Sequence, residues 1–168
     1  MTESIERLLH DFEARRISRR QLAASLAALV GARSVASAQS APTGPAAQGR
    51  SINHVSLAVT DVEKSAEFYS NLLGLKVVSR PGNGGINLGL GSGFLGLYKL
   101  ANPGTVNHFC IGVDDYEPDA LAARLTARGL RATVDRNPAN RTSGGDQVYF
   151  NDPLDNLRVQ LAANGYQG

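Results

Sequence analysis

The chain has 168 residues, 42% of them hydrophobic and 19% charged, with a formal net charge of +2, a balance that builds one globular domain with an appendage and excludes a disordered chain. Residues 1–38 hold six of the 17 Lys+Arg and four of the 15 Asp+Glu, so the remainder is formally neutral and offers nucleic acid no basic face. The single cysteine, Cys110, rules out an intrachain disulfide and a cysteine-built zinc knuckle, and the lack of Trp argues against a base-stacking platform.

The N-terminal segment reads as an address. Arg15-Arg16-Ile17-Ser18-Arg19-Arg20-Gln21-Leu22, a mildly apolar stretch from Leu22 to Ala32 and the small-residue site Ala36-Ser37-Ala38 follow the order of a secretory signal. Its paired arginines resemble the twin-arginine type. The expectation is a twin-arginine signal peptide over 1–38, cleaved near Ala38, and a periplasmic protein. The apolar run is too short for a stable membrane span, which takes about 20 residues. The competing reading is a cytoplasmic amphipathic helix with Ile5, Leu8, Leu9 and Phe12 on one face. Residues 39–50, rich in Ala, Pro and Gly, are expected to be a flexible linker.

Past Ser51 the chain says everything twice. Ile52–Val59 alternates as a strand, with Val55, Leu57 and Val59 on one face and His54, Ser56 and Ala58 on the other. Thr60 to Glu63 reads as a capping box opening a helix whose apolar stripe is Val62, Ala66, Tyr69 and Leu73, and Gly74 ends it. Strands are expected at Leu75–Ser79, Ile86–Leu90 and Phe94–Leu100, with a glycine-rich loop at Pro81–Gly85 and a hairpin turn at Gly91-Ser92-Gly93. That loop is no phosphate cradle, because neither Lys-Ser/Thr nor a helix follows.

The second half repeats the order: strand Val106–Val113, helix Pro118–Arg128 closed by Gly129, strands Arg131–Asp135 and Gln147–Asn151, the turn Asp152–Asn156, and strand Leu157–Leu161. Asn53-His54 and Asn107-His108 begin equivalent strands, and these are two of the three histidines in the chain. Two βαβββ units cannot each bury a sheet face well alone, so the fold expected is α+β: paired units in one curved mixed sheet with a cupped inner cleft. A repeat that duplicates a candidate metal ligand points to one site between the halves.

These stretches, with Phe68-Tyr69, Leu73-Gly74-Leu75 and Tyr149-Phe150-Asn151-Asp152-Pro153, resemble the vicinal oxygen chelate superfamily, which includes glyoxalase I, extradiol dioxygenases and bleomycin-resistance proteins. The resemblance covers 51–162, with unit one at 51–105 and unit two at 106–162, leaving 163–168 as a C-terminal tail. It implies a divalent metal (Fe, Zn, Mn or Ni) held by His54, His108 and the position occupied by Gln160. It also implies a small oxygenated substrate, dioxygenase or lyase/isomerase chemistry, and a homodimer. Leu97 stands where the first unit would supply a fourth ligand. The usual third ligand is Glu, and Gln160 brings neither charge nor a general base. No further histidine is present in the domain to act as an acid–base. The alternative is a protein of the same fold that sequesters a small molecule without turnover.

Tyr149 and Arg158 are candidate catalytic residues, the first to hydrogen-bond a substrate oxygen and the second to meet an anion; a strand aromatic and an edge salt bridge are the plainer readings. Arg158 and Gln160 share a face, with Leu157, Val159 and Leu161 inward. Cys110 reads as a small buried filler beside the cleft. Arg136 and Arg141 lie in a polar loop, Arg136–Asp146, placed to cover the cleft or to stay solvated.

Overall fold

The computed structural model describes residues 2–26 and 43–168. The chain divides into two units, Met1–Thr43 and Gly44–Gly168. In the first, α1 spans Thr2–Glu13, and residues 19–26 are helical. Ser18 and Gln21 cap that second segment reciprocally: Ser18 N and Oγ both donate to Gln21 Oε1, and Gln21 N donates to Ser18 Oγ. Arg19 and Arg20 are left exposed. Ala36-Ser37-Ala38 lies outside the described residues. Among the described residues, no helix is long and apolar enough to cross a membrane.

The second unit is an eight-stranded mixed sheet with two helices on its outer face. Its strands are β1 (Gly49–Ala58), β2 (Val77–Ser79), β3 (Ile86–Leu90), β4 (Gly93–Tyr98), β5 (Thr105–Val113), β6 (Thr133–Asp135), β7 (Gln147–Asn151) and β8 (Arg158–Ala163); the helices are α2 (Val62–Leu73) and α3 (Pro118–Thr126). The order β2-β3-β4-β1-β5-β8-β7-β6 is a repeat about its centre. β1 lies parallel to β4 and β5 parallel to β8, while β1 and β5 join the halves antiparallel. In that join His54 faces Cys110 and Ser56 faces His108, so a local twofold passes between the pairs.

Strand alternation divides the side chains as the pattern predicts. On the outer face, Ala66 of α2 packs with Ile86, Leu88 and Leu97, and Leu121 and Leu125 of α3 pack with Val148, Val159 and Leu161. On the inner face, His54, Ser56, Asn87, Gln147 and Gln160 are all buried despite being polar.

Several boundaries differ from the pattern. The cap of α2 is Asp61, one residue later than expected, its Oδ1 accepting from Lys64 N at 3.0 Å; a carboxylate so close to the helix start displaces the Thr60 hydroxyl from that role. Gly74 does close the helix in the left-handed region at φ 71°. Leu73 is exposed, since the helix turns it off the sheet, and Leu157 is exposed because it precedes β8 rather than belonging to it. The linker expected over 39–50 does not reach residue 50: Gly49 and Arg50 are already strand, and Ala46 and Ala47 pack on the second-half core; residues 39–42 lie outside the described residues. Arg124 Nε donates to Ala46 O, and Arg128 Nη2 to Gly44 O.

The register also corrects the place of a fourth ligand. Gln160 pairs with Cys110 on β5, and the equivalent partner of Ser56 on β4 is Gly96. Leu97 belongs to the outer core. The turns before β4 and β8 differ in length, so counting residues slips by one and exchanges the faces.

Candidate active site

The inner face closes over a cavity of about 130 Å³ lined by both halves. His54 Nε2 and His108 Nε2 stand 3.2 Å apart at its centre. Each ring is held from behind by the asparagine preceding it, with Asn53 Oδ1 2.9 Å from His54 Nδ1 and Asn107 Oδ1 2.9 Å from His108 Nδ1. For His54 the tautomer follows from the partners. Asn53 Nδ2 donates to the Tyr166 backbone carbonyl at 2.8 Å, so its Oδ1 must face the ring and Nδ1 must carry the proton. The Nε2 lone pair then points into the cavity. At His108 the ring-to-amide contact recurs at 2.9 Å.

Burial is the main reason both rings stay neutral. It lowers His54 to about 3, assisted by His108, and His108 to about 4, assisted by the Arg158 charge; Gln160 opposes both shifts by hydrogen bonding. Two neutral imidazoles therefore meet Nε2 to Nε2 at the centre of the cavity. Phe94 stacks on His54 at 4.2 Å between centroids, and Tyr149 meets His108 edge-on at 5.5 Å.

Gln160 lines the third side of the cavity. Its amide nitrogen and the Ser56 hydroxyl, both lining this cavity, are the two buried side-chain polar atoms without a partner among the described residues. At the fourth side Gly96 contributes no side chain. A Cβ there would lie 2.7 Å from the Tyr98 ring and 2.9 Å from Ser56 Oγ. The Tyr98 ring and the Ser56 hydroxyl fill the space that Gly96 leaves. Among the described residues no three His, Cys, Asp or Glu side chains gather; beside the two histidines stands the Gln160 amide.

Tyr149 is buried, and burial pushes its phenol well above the ordinary range. Its hydroxyl is engaged with Gln147 and Gln160. Arg158 is exposed at the cavity rim with its guanidinium 4.3 Å above the Tyr149 ring; among the described residues no carboxylate pairs with it. Cys110 is fully buried beneath the site, its thiol pushed up by burial, beside Phe94, Ala162 and Tyr166. Arg136 binds Asp119 and Asp146, and Arg141 binds Asp146 at 2.7 Å. These arginines brace the loop rather than line the cavity. The loop meets the first half across the cleft, with Asn83 N donating to Ala139 O at 2.8 Å.

Four contributors were not singled out from the sequence. Tyr166, in the expected tail, folds back so that its ring lies 5.9 Å from His54 and its hydroxyl accepts from Gln147 Nε2. Gln147 and Phe94 sit on the inner face of their strands, where alternation alone would have placed them. Asp135 lines the cavity with its carboxylate oxygens accepting from Asn137 N and Asn140 Nδ2. A larger groove of about 500 Å³ runs between α2 and the β1/β5 edge, but its charged residues, Asp61 and Lys64, pair with each other.

A profile of the Glyoxalase/Bleomycin resistance protein/Dioxygenase superfamily matches residues 51–161, and the chain belongs to that family. Among solved structures it is similar to homoprotocatechuate 2,3-dioxygenase from Arthrobacter globiformis, with 27% identity over 76% of this chain and 39% of that one and a TM-score of 0.59. A variant of the B. fuscum homoprotocatechuate 2,3-dioxygenase gives 25% identity over 76% of this chain and 35% of that one, at a TM-score of 0.59. This chain therefore spans little more than a third of those dioxygenases. Streptomyces coelicolor methylmalonyl-CoA epimerase shares the fold at 21% identity, covering 70% of this chain and 99% of that one, with a TM-score of 0.51.

Proposed function

We propose that this protein is a metal-dependent enzyme acting on a small, anionic, oxygen-rich substrate. The observation that carries the reading is the 3.2 Å approach of two uncharged imidazole nitrogens. A proton on one Nε2 bridges that gap in the metal-free protein, and a divalent ion can take the proton's place between the two nitrogens. Two nitrogens each about 2.1 Å from one ion are this far apart at an angle near 100°, between octahedral and tetrahedral values. His54, His108 and Gln160 would hold the ion, and no side chain of the first half stands opposite Gln160, because that register position is Gly96. A divalent ion there would act as a Lewis acid toward neighbouring substrate oxygens.

The protein supplies the rest. None of the three donors is negatively charged, so the substrate must bring the anionic oxygens, and Arg158 at the rim adds a place for a carboxylate. Ser56 Oγ, buried and unpartnered, is available to donate to a substrate oxygen. The cavity of about 130 Å³ and the stacked Phe94 restrict the site to a small molecule. Metal analysis and calorimetry test this reading: about one ion per chain is expected, reduced to near zero by His54→Ala or His108→Ala.

A second reading rests on one observation. Among the described residues the one carboxylate lining the cavity, Asp135, is engaged by Asn137 and Asn140, which is poor placement for a general base. That favours sequestration of a chelating molecule without turnover, and recovery of unchanged ligand after long incubation would distinguish it. The proposal extends to export, supported by exposed Arg19 and Arg20, and to self-association, supported by the exposed Phe68, Leu72 and Val106.

A further inference from the structure

Among the described residues, Tyr166 alone of the tyrosine and phenylalanine side chains lining the cavity lies outside a strand. After β8 the chain turns back on itself, with Tyr166 N donating to Ala163 O at 3.0 Å. Gly165 sits in that turn at a φ of 85°, which an L side chain rarely adopts. The turn drops the Tyr166 ring into the cleft, where it is 4% exposed. The strand directions say which end it fills. Phe94 stands at the start of β4 and Ala162 near the end of β8, and Tyr166 packs with both and with Cys110 at that end of the sheet. Leu100, past the end of β4, and Arg158, at the start of β8, are exposed at the other.

The ring lies between apolar and aromatic walls with a polar contact at its far end. Its centroid is 5.9 Å from that of His54 and 6.2 Å from that of Phe94, the separation of aromatic pairs. A Cβ on Gly144 would lie 2.0 Å from the ring, and Gly144 has a φ of 76°, so both space and backbone require glycine in that wall. Gln147 Nε2, 3.3 Å from the Asn140 carbonyl, donates to Tyr166 Oη at 2.5 Å. Burial pushes the phenol above its ordinary range and keeps it neutral. The main chain is tied to both halves. Asn53 Nδ2 donates to Tyr166 O and Ser79 Oγ to Gln167 O from the first, and Thr142 N donates to Gly168 O at 2.9 Å from the second.

We propose that the cavity continues past His54 into a second, ring-shaped subsite that the chain fills with its own Tyr166, which makes Tyr166 a specificity-determining residue. A molecule coming to the histidines from the Arg158 end meets the Tyr166 ring as a rear wall. The subsite stands on the contacts around that ring; its bearing on which ligands the cavity accepts rests on the functional reading above. Vacated, it takes a neutral phenol, because the walls are apolar and aromatic and the polar contact is an uncharged amide.

Cys110, the single cysteine of the chain, is fully buried against this ring, so its labelling by dithiodipyridine reports whether the subsite is filled. The full chain is used without added metal, and the probe is p-cresol, the tyrosine side chain as a free molecule. Tyr166→Ala should raise the labelling rate by about 100-fold, the scale of a lost buried aromatic ring. Below the unfolding transition that rate should not change with urea, because the thiol is reached in the folded chain. Saturating p-cresol should return the variant to within about 5-fold of wild type, and calorimetry should find one p-cresol site in the variant and none in wild type. Tyr166→Phe should stay within about 5-fold of wild type, the weight of one hydrogen bond. Leu97→Ala, which loses stability on the outer face, should gain no protection from p-cresol. Where Tyr166→Ala does not fold, Tyr166→Leu carries the same comparison. Wild-type labelling at the rate of a free thiol would overturn the subsite. So would a variant rate that climbs with urea as global unfolding does, or p-cresol that protects neither variant or both alike. No metal enters these measurements, so their failure strikes the subsite and leaves the reading at the histidines to its own metal analysis.

Discussion

His54 and His108 occupy the same place in two copies of one strand motif, and the antiparallel join of β1 and β5 brings their Nε2 atoms to 3.2 Å. Each half carries one ring and its supporting asparagine, so neither half holds a site alone. The twofold that builds the sheet also builds the cavity, and the departures from it, Gln160 against Gly96, decide which sides are closed.

The supporting asparagines give a sharp test. Asn53→Ala and Asn107→Ala remove the acceptors that fix the rings, leaving both Nε2 atoms in place but free to change tautomer. Metal affinity measured by calorimetry should fall by about 10- to 100-fold in each, without the near-complete loss expected for the histidine variants. Unchanged affinity would mean that the rings are held by Phe94 and Tyr149 packing alone.

Stability of the metal-free protein should depend on pH through the same pair. Burial holds His54 at about 3 and His108 at about 4 in the folded state, below the ordinary 6.5. Between those values the unfolded chain binds protons that the folded chain refuses. The contribution is complete above about pH 6.5 and declines as pH falls through the window toward 4 and 3. Urea midpoints should therefore drop between pH 7 and pH 5, and a His54→Gln/His108→Gln double variant should show a flatter profile over that interval.

Much of this was legible in the sequence because the repeat carries both periodicities. Alternation in Ile52–Val59 and Val106–Val113 put the histidines opposite the apolar stripe, and Gly74 marked a helix end that φ confirms. What escaped was set by contacts distant in sequence. Gly96 was missed because unequal turns change the register, Tyr166 because a short tail carries no period, and Gln147 because its meaning lies in an Asn140 carbonyl it meets only in the fold. The cap at Asp61 shows a local version of the same limit, since Thr60 and Asp61 are both good caps and geometry chose between them.

Leu97 tests the corrected register. It is fully buried against Ala66, Ile86 and Leu88 on the outer face. Leu97→Ala should cost about 2–5 kcal/mol of stability by urea unfolding and leave metal stoichiometry per folded chain unchanged. A selective loss of metal at unchanged stability would return this residue to the inner face.

The paired arginines of the N-terminal unit are exposed at the first turn of their helical segment, where a receptor can reach them. With export through the twin-arginine route, an Arg19→Lys/Arg20→Lys change should leave unprocessed protein in the cytoplasm by fractionation. Normal processing of that variant would place the protein outside this route.

Arg158 separates anion recognition from metal binding. Its guanidinium lies over Tyr149 at the rim, and no carboxylate among the described residues neutralises it. Arg158→Gln should leave the metal Kd within about 2-fold or tighten it, since a nearby cation that opposes the ion is removed. Binding of a carboxylated catechol should weaken by about 10-fold, the loss of one charge-assisted contact of roughly 1.5 kcal/mol. Unsubstituted catechol, which lacks the carboxylate, should bind wild type and variant alike. If both catechols weaken together, Arg158 acts by holding Tyr149 through stacking; if neither weakens, the substrate's charge is met entirely at the ion.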